Sequence, residues 1–170
     1  MRYTTENLNV AESFRVVLVE PKDLFENDNN DGKEALRLYG VLMEGVNSYK
    51  TKMGIPVGCY REVTTKDIKD MFLSQWQIFF VENNAGKIVA MATVKKAAEK
   101  DTFKLQNVVV DKDHRGKGLG KMVCEAAIDW CQPNFVQLVV SMANPHAYQL
   151  YKSLGFKTTD LEMHLSPKKK

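Results

Sequence analysis

Fifteen residues, Val108 to Met122, constrain this chain more than any other stretch. They read VVVDKDHRGKGLGKM. A β-branched run stops at an acidic turn, a basic glycine-rich loop follows, and a helical pattern begins. Gly116, Gly118 and Gly120 alternate with bulkier residues, beside Arg115, Lys117 and Lys121. Glycine has no Cβ and accepts positive φ, so the backbone can approach a ligand closely. A helix N-terminus adds unpaired N–H groups and a partial positive charge. A strand, a glycine loop and a helix start in succession predict an anion cradle of pyrophosphate size. The bland alternative is a basic surface turn whose glycines only start a helix.

Two familiar phosphate loops do not match. A Walker A loop has a glycine four residues before its closing Gly-Lys pair and a Ser or Thr after it. Gly120-Lys121 has Arg115 at that place and Met122 after. In the dinucleotide pattern G-x-G-x-x-G, the third glycine falls on Lys121, and the chain lacks repeated βα units.

A second block, NPHAYQLYKSLGF, spans residues 144–156. Ala147, Leu150, Tyr151 and Leu154 recur at helical spacing and share one face. Asn144 suits an N-cap and Pro145 the first helical position. Gly155 ends the helix.

Together the two blocks resemble the GNAT superfamily of acyl-CoA N-acyltransferases. Arg115, Gly118 and Gly120 match its first signature, an Arg or Gln, two residues, Gly, one residue, then Gly or Ala. Asn144, Ala147, Leu150, Tyr151, Gly155 and Phe156 match its second. The resemblance is clear from about Gln77 onward. It implies a mixed α/β fold: a twisted, mostly antiparallel sheet, a V-shaped splay between two parallel strands, and helices on both faces. It implies acetyl-CoA as co-substrate and direct attack by an acceptor amine in a ternary complex. Carried over residue by residue, the cofactor-binding set is Val108, Val109, Val110, Arg115, Gly116, Lys117, Gly118, Leu119, Gly120 and Lys121, with Asn144 and Tyr151. Backbone groups of Lys117, Gly118, Gly120 and Lys121 would hold the pyrophosphate. Val108 and Val110 would pair with the pantetheine arm as an added strand does. The Val108 N–H would polarise the thioester carbonyl, and the Tyr151 phenol would protonate the departing thiolate. Tyr148 is an alternative acid. Tyr151 can also be read as a core residue, and Asn144 as a cap alone.

The general base is not legible. Many relatives place a carboxylate on the strand before the loop, yet Phe103 to Val110 carries none. Gln106 and Asn107 stand where the glucosamine-6-phosphate N-acetyltransferase branch has Glu and Asp. Glu82, His164 or water remain for proton removal, while Gln106 and Asn107 can hydrogen-bond an acceptor. His146 reads as solvated. The segment from Met43 to Glu62 is expected to line the acceptor side, with Tyr49, Tyr60, Trp76, Phe79, Glu44 and Glu62 available.

Composition fits one soluble domain over residues 1–170, with flexible ends at 1–12 and 166–170. Net charge is +3, which the terminal Lys168-Lys169-Lys170 could supply alone, so no nucleic-acid partner is indicated. No apolar run suits a membrane span, and no leader is visible. Cys59, Cys124 and Cys131 form no C-x-x-C pair, which points to reduced thiols in a cytoplasmic setting and to no metal site. Cys124 and Cys131 fall on one apolar helix face and read as core.

Periodicity predicts strands at Phe14–Val19, Gln77–Glu82, Lys87–Lys95, Phe103–Val110 and Phe135–Val140, the last buried, with Phe156–Leu165 closing the sheet. Helices are expected from Asp31 to about Tyr49, with Leu36, Tyr39, Leu42, Met43 and Val46 on one face, and at Thr65–Ser74, Gly118–Cys131 and Asn144–Leu154. Three functions remain: acetylation of a small-molecule amine, acetylation of a protein or peptide, and a non-catalytic CoA-binding module. The resemblance leaves room for a homodimer.

Overall fold

A computed structural model describes residues 13–26, 30–55, 64–160 and Met163. The expected flexible ends, Cys59, Tyr60, Glu62 and His164 lie outside the described residues. The elements run β1 (Phe14–Val19), α1 (Asn30–Lys52), α2 (Thr65–Leu73), β2 (Gln77–Asn83), β3 (Ile88–Lys96), β4 (Thr102–Val110), α3 (Leu119–Cys131), β5 (Phe135–Gln137) and α4 (Pro145–Ser153), with short 3-10 turns at Pro21–Asp23 and Lys112–His114.

The five strands lie in sequence order, β1 to β5. The first three pairings are antiparallel, and β4 pairs β5 in parallel. The alternation of β2 and β3 sends side chains to two separate cores. Phe79, Val81, Val89, Ala92 and Val94 meet Val123, Cys124 and Ala127 of α3. Ile78, Phe80, Ile88 and Met91 meet Leu38 of α1 and Phe72 of α2. A sheet buried on both faces reads as continuous apolar strand, which explains why β2 and β3 are so short of polar residues.

Local chemistry sets the ends. Thr64 caps α2 in a reciprocal capping box with Asp67. Within α1, a Cβ on Gly32 would stand 2.6 Å from a Phe25 ring carbon and 2.7 Å from the Leu24 carbonyl, so only glycine lets the helix start against that turn. Cys124 and Cys131 are buried thiols, as expected of core residues. Burial pushes Cys124 up to about 12, with Glu125 adding to it, and Cys131 up to about 11.

Three expectations need correction. The fully buried residues of α1 are Gly32, Ala35 and Leu38, one position off the expected stripe; Leu36, Tyr39 and Leu42 flank them half-buried. Strand β5 is three residues long and not buried: Phe135 is 79% exposed and Val139 94%. Phe156 to Asp160 forms no strand, so sheet closure by that segment is not seen among the described residues. Edge position explains both strand errors, because an apolar run cannot reveal whether a neighbour will cover it.

Candidate functional site

The site begins where β4 and β5 part. Their parallel pairing covers only Thr102↔Phe135, Phe103↔Val136 and Lys104↔Gln137. Beyond Lys104, the edge of β4 facing β5 has no strand partner among the described residues. In the antiparallel ladder, Val109 pairs with Met91, and the Asp111 N–H donates to the Val89 carbonyl at 2.8 Å. Residues alternate in direction, so Val108 and Val110 turn their backbone groups away from β3 and into the opening. The Val110 carbonyl accepts the Arg115 Nε–H at 3.3 Å, which agrees with that direction.

A bulge lies in β4 at this point. Between Met91↔Val109 and Thr93↔Gln106, β4 holds one residue more than β3. Asn107 absorbs it with φ +49°, a left-handed conformation that Asn tolerates better than most residues. Its Nδ2 donates to Thr93 Oγ1 at 2.9 Å and reaches Met71 Sδ at 3.4 Å. Both Gln106 and Asn107 therefore lie on the α1–α2 face. Nothing local marks this bulge, because Gln-Asn before three valines reads as ordinary strand.

The glycine loop has the expected form. Gly116 and Gly118 both have φ +78°, where a side chain is strained, and a Cβ on either would meet only open space. Gly118 is the N-cap of α3, and Met122 N–H is the first to bond back, to the Gly118 carbonyl at 3.0 Å. Leu119, Gly120 and Lys121 thus have N–H groups with no acceptor inside the helix. Gly120 faces packed side chains: a Cβ there would meet Leu150 at 3.4 Å and Val110 at 3.6 Å, ordinary contact distances. Lys117 Nζ lies 5.8 Å from the Phe14 ring, and Lys121 pairs with Glu125 at 3.7 Å.

Tyr151 is held on α4 against the core, with Phe156 edge-on at 6.0 Å. Burial, with Cys124 nearby, pushes its phenol well above the ordinary tyrosine value. It stays protonated through the neutral range and can act as a proton donor. Tyr148 is tied up elsewhere, with its hydroxyl 3.0 Å from Thr158 Oγ1. Asn144 caps α4, its Oδ1 accepting the Ala147 N–H at 3.1 Å. His146 is exposed.

Several acceptor-side readings do not come together. Glu82 is bound by Arg15 at 2.6 Å, on strands β1 and β2 away from the opening. Glu44 pairs with Lys112. Phe79 is fully buried under α3, and Trp76 meets Phe103 edge-on at 5.7 Å on the same face. Missing from the sequence reading is a charge knot at the loop end of β4. Asp111, 7% exposed, takes Arg37 at 3.0 Å and Lys87 at 3.3 Å. Arg37 also holds Glu34 at 2.8 Å and the Ile88 carbonyl at 2.9 Å. Burial would raise the Asp111 carboxyl, but Arg37 and Lys87 outweigh it and hold it below the usual range. The knot ties α1 to the point where the chain leaves β4 for the glycine loop.

A parallel pairing that stops at Lys104 thus lies next to a helix capped by glycine. The family model described as Acetyltransferase (GNAT) family matches residues 49–156, more than half of the sequence, and the chain belongs to that family. N-acetylaspartate synthetase of Xenopus tropicalis is 27% identical over 114 residues, which is 64% of this chain and 42% of that protein. The chain thus spans less than half the length of that relative. Among solved structures, an aminoglycoside acetyltransferase from an uncultured soil metagenomic sample superposes with TM-score 0.63 at 13% identity, covering 92% of this chain and 97% of that one. Glucosamine-6-phosphate N-acetyltransferase from Arabidopsis thaliana superposes with TM-score 0.55 at 23% identity, covering 90% and 97%. At these identities the structural likenesses establish the fold alone.

Proposed function

We propose that this chain transfers the acetyl group of acetyl-CoA to the primary amine of a small molecule, by direct attack in a ternary complex. The observation that carries this reading is the edge of β4 beyond Lys104, without a strand partner among the described residues, followed by the open glycine cap of α3. An extended thioester with a diphosphate at one end fits both features. The backbone N–H groups from Lys117 to Lys121 hold the diphosphate, since α3 leaves its first N–H groups directed outward. Val108 and Val110 bond the extended arm in the manner of a missing strand.

Acceptor nitrogen attacks the thioester carbonyl, the oxygen gains charge, and the C–S bond breaks. The Val108 N–H is the group placed to stabilise that oxygen. Tyr151 gives its proton to the departing sulfur, a role suited to a phenol kept protonated by burial. No carboxylate stands on β4 to take the amine proton. We assign its removal to water, with Gln106 and Asn107 orienting the amine.

The first test is a thermal melt with acetyl-CoA, NAD and ATP in separate arms. A ligand at one hundred times its dissociation constant adds about 2.7 kcal/mol of stability. A shift with acetyl-CoA alone supports the cradle and opens the way to screening amines for thiol release. No shift at saturating acetyl-CoA overturns the assignment.

A further inference from the structure

The face of β3 and β4 turned away from α3 carries a charge arrangement that the chemistry above does not use. Ala92, Val94, Phe103 and Leu105 point into the core under α3. By alternation, Thr93, Lys95, Lys104 and Gln106 occupy the opposite face, which the bulge extends to Asn107. On this face Lys95 and Lys104 are direct cross-strand partners. Like charges placed opposite each other destabilise a sheet. Four other lysines have carboxylates: Lys66 with Asp70, Lys87 with Asp111, Lys112 with Glu44 and Lys121 with Glu125. Neither Lys95 nor Lys104 has a carboxylate partner among the described residues. The strip between this pair and the opening is neutral amide, Gln106 and Asn107.

Position makes the pair relevant to the reaction. In the proposed function the cofactor arm takes the α3 side of the opening, where Leu150, Tyr151 and Leu154 pack on the core. The acceptor therefore approaches from the other face. Lys104 precedes Val108 by four residues, about 13 Å of strand at ~3.3 Å per residue, shortened by the bulge. A lysine stem reaches about 6 Å from its Cα. An ammonium thus comes within the length of a small acceptor from the reacting amine.

We infer that the acceptor amine carries an anionic group, a carboxylate or a phosphate, which Lys95 and Lys104 receive together while Gln106 and Asn107 hold the part between charge and amine. This rests on the N-acetyltransferase reading above and specifies its substrate class. Two ammonium groups supply up to six N–H donors for such an oxyanion. They also repel polyamines and other cationic acceptors, which gives specificity by exclusion.

The test follows thiol release from acetyl-CoA by the full chain with paired acceptors: L-aspartate against aspartic diamide, glucosamine 6-phosphate against glucosamine, and spermidine. The anionic member of at least one pair is expected to show kcat/KM at least ten-fold above its neutral counterpart. The first pair reports a carboxylate ligand and the second a phosphate. In the Lys95→Ala, Lys104→Ala double variant that preference falls about ten-fold, mainly through KM. Lys104→Glu shifts it toward spermidine. The control Lys100→Ala, on the β3–β4 turn, retains the preference. Because the lysines repel each other, the double variant melts at or above the wild-type temperature, a readout that a purely structural role would reverse. Neutral acceptors equal to anionic ones, or a preference that survives the double variant, overturn the inference and leave the acetyltransferase reading standing. If acetyl-CoA raises the melting temperature but no amine releases thiol, the acetyltransferase reading itself fails and this inference falls with it.

Discussion

The two sides of the β4 opening are made of different material. The cradle side is backbone: glycines with positive φ, the first turn of α3, and the unpaired edge of β4. The opposite side is side chain: Lys95, Lys104, Gln106 and Asn107 on a flat sheet face. A backbone site binds whatever shares one common shape, which in the proposed function is a diphosphate and an extended arm. A side-chain site distinguishes among acceptors, and single substitutions can redirect it. The fold supplies the first kind of site to a whole family and leaves the second to each member.

The largest effect should come from attacking the backbone side. Gly118→Glu forces a side chain into φ +78° and adds negative charge to the cradle. The strain costs about 1–2 kcal/mol, which a domain of this size survives. Acetyl-CoA affinity should be lost while the melt remains cooperative. Retained affinity in calorimetry would remove the diphosphate from this loop.

Tyr151→Phe tests the proposed proton donor, which packs on the α3 side. Cofactor affinity should persist while turnover falls by roughly two to four powers of ten, the range for one proton-transfer group. Full activity in a stopped thiol-release assay would leave Tyr151 as a packing residue only.

Asp111→Asn tests the knot that joins both sides to α1. Its folded carboxyl value lies below the ordinary one, so the knot stabilises the protein above the unfolded carboxylate value. That contribution is lost as pH falls through the lower, folded value. The variant should lose about 1.5–3 kcal/mol at neutral pH, the scale of a hydrogen bond to a charged group, and show a shallower acid limb. Chemical denaturation at pH 7 and below pH 4 decides this; parallel curves for both proteins would contradict it.

The smallest effect on stability should come from Asn107→Gly. Relief of the left-handed residue is worth about 1 kcal/mol, and loss of the Thr93 hydrogen bond costs a similar amount. Melting temperature should barely move, while acceptor KM rises several-fold and acetyl-CoA affinity holds. A matching loss on the acetyl-CoA side would show that the two sides are not independent.

Sequence alone determined the strand, glycine loop and helix from Val108 to Cys131, the α4 helix with its Asn144 cap, and the β2–β3 hairpin. These depend on local rules: periodicity, capping, and the φ that only glycine tolerates. It also singled out Tyr151 without showing its surroundings. Only the tertiary structure decided that β5 would be short and exposed, that β4 would bulge at Asn107, and that Asp111, Arg37 and Lys87 would meet across more than seventy residues of chain. The same holds for the Lys95–Lys104 pairing, since cross-strand register is set by the whole sheet. Local conformation is encoded within a few residues, whereas the meeting of distant charges depends on how the sheet and helices pack.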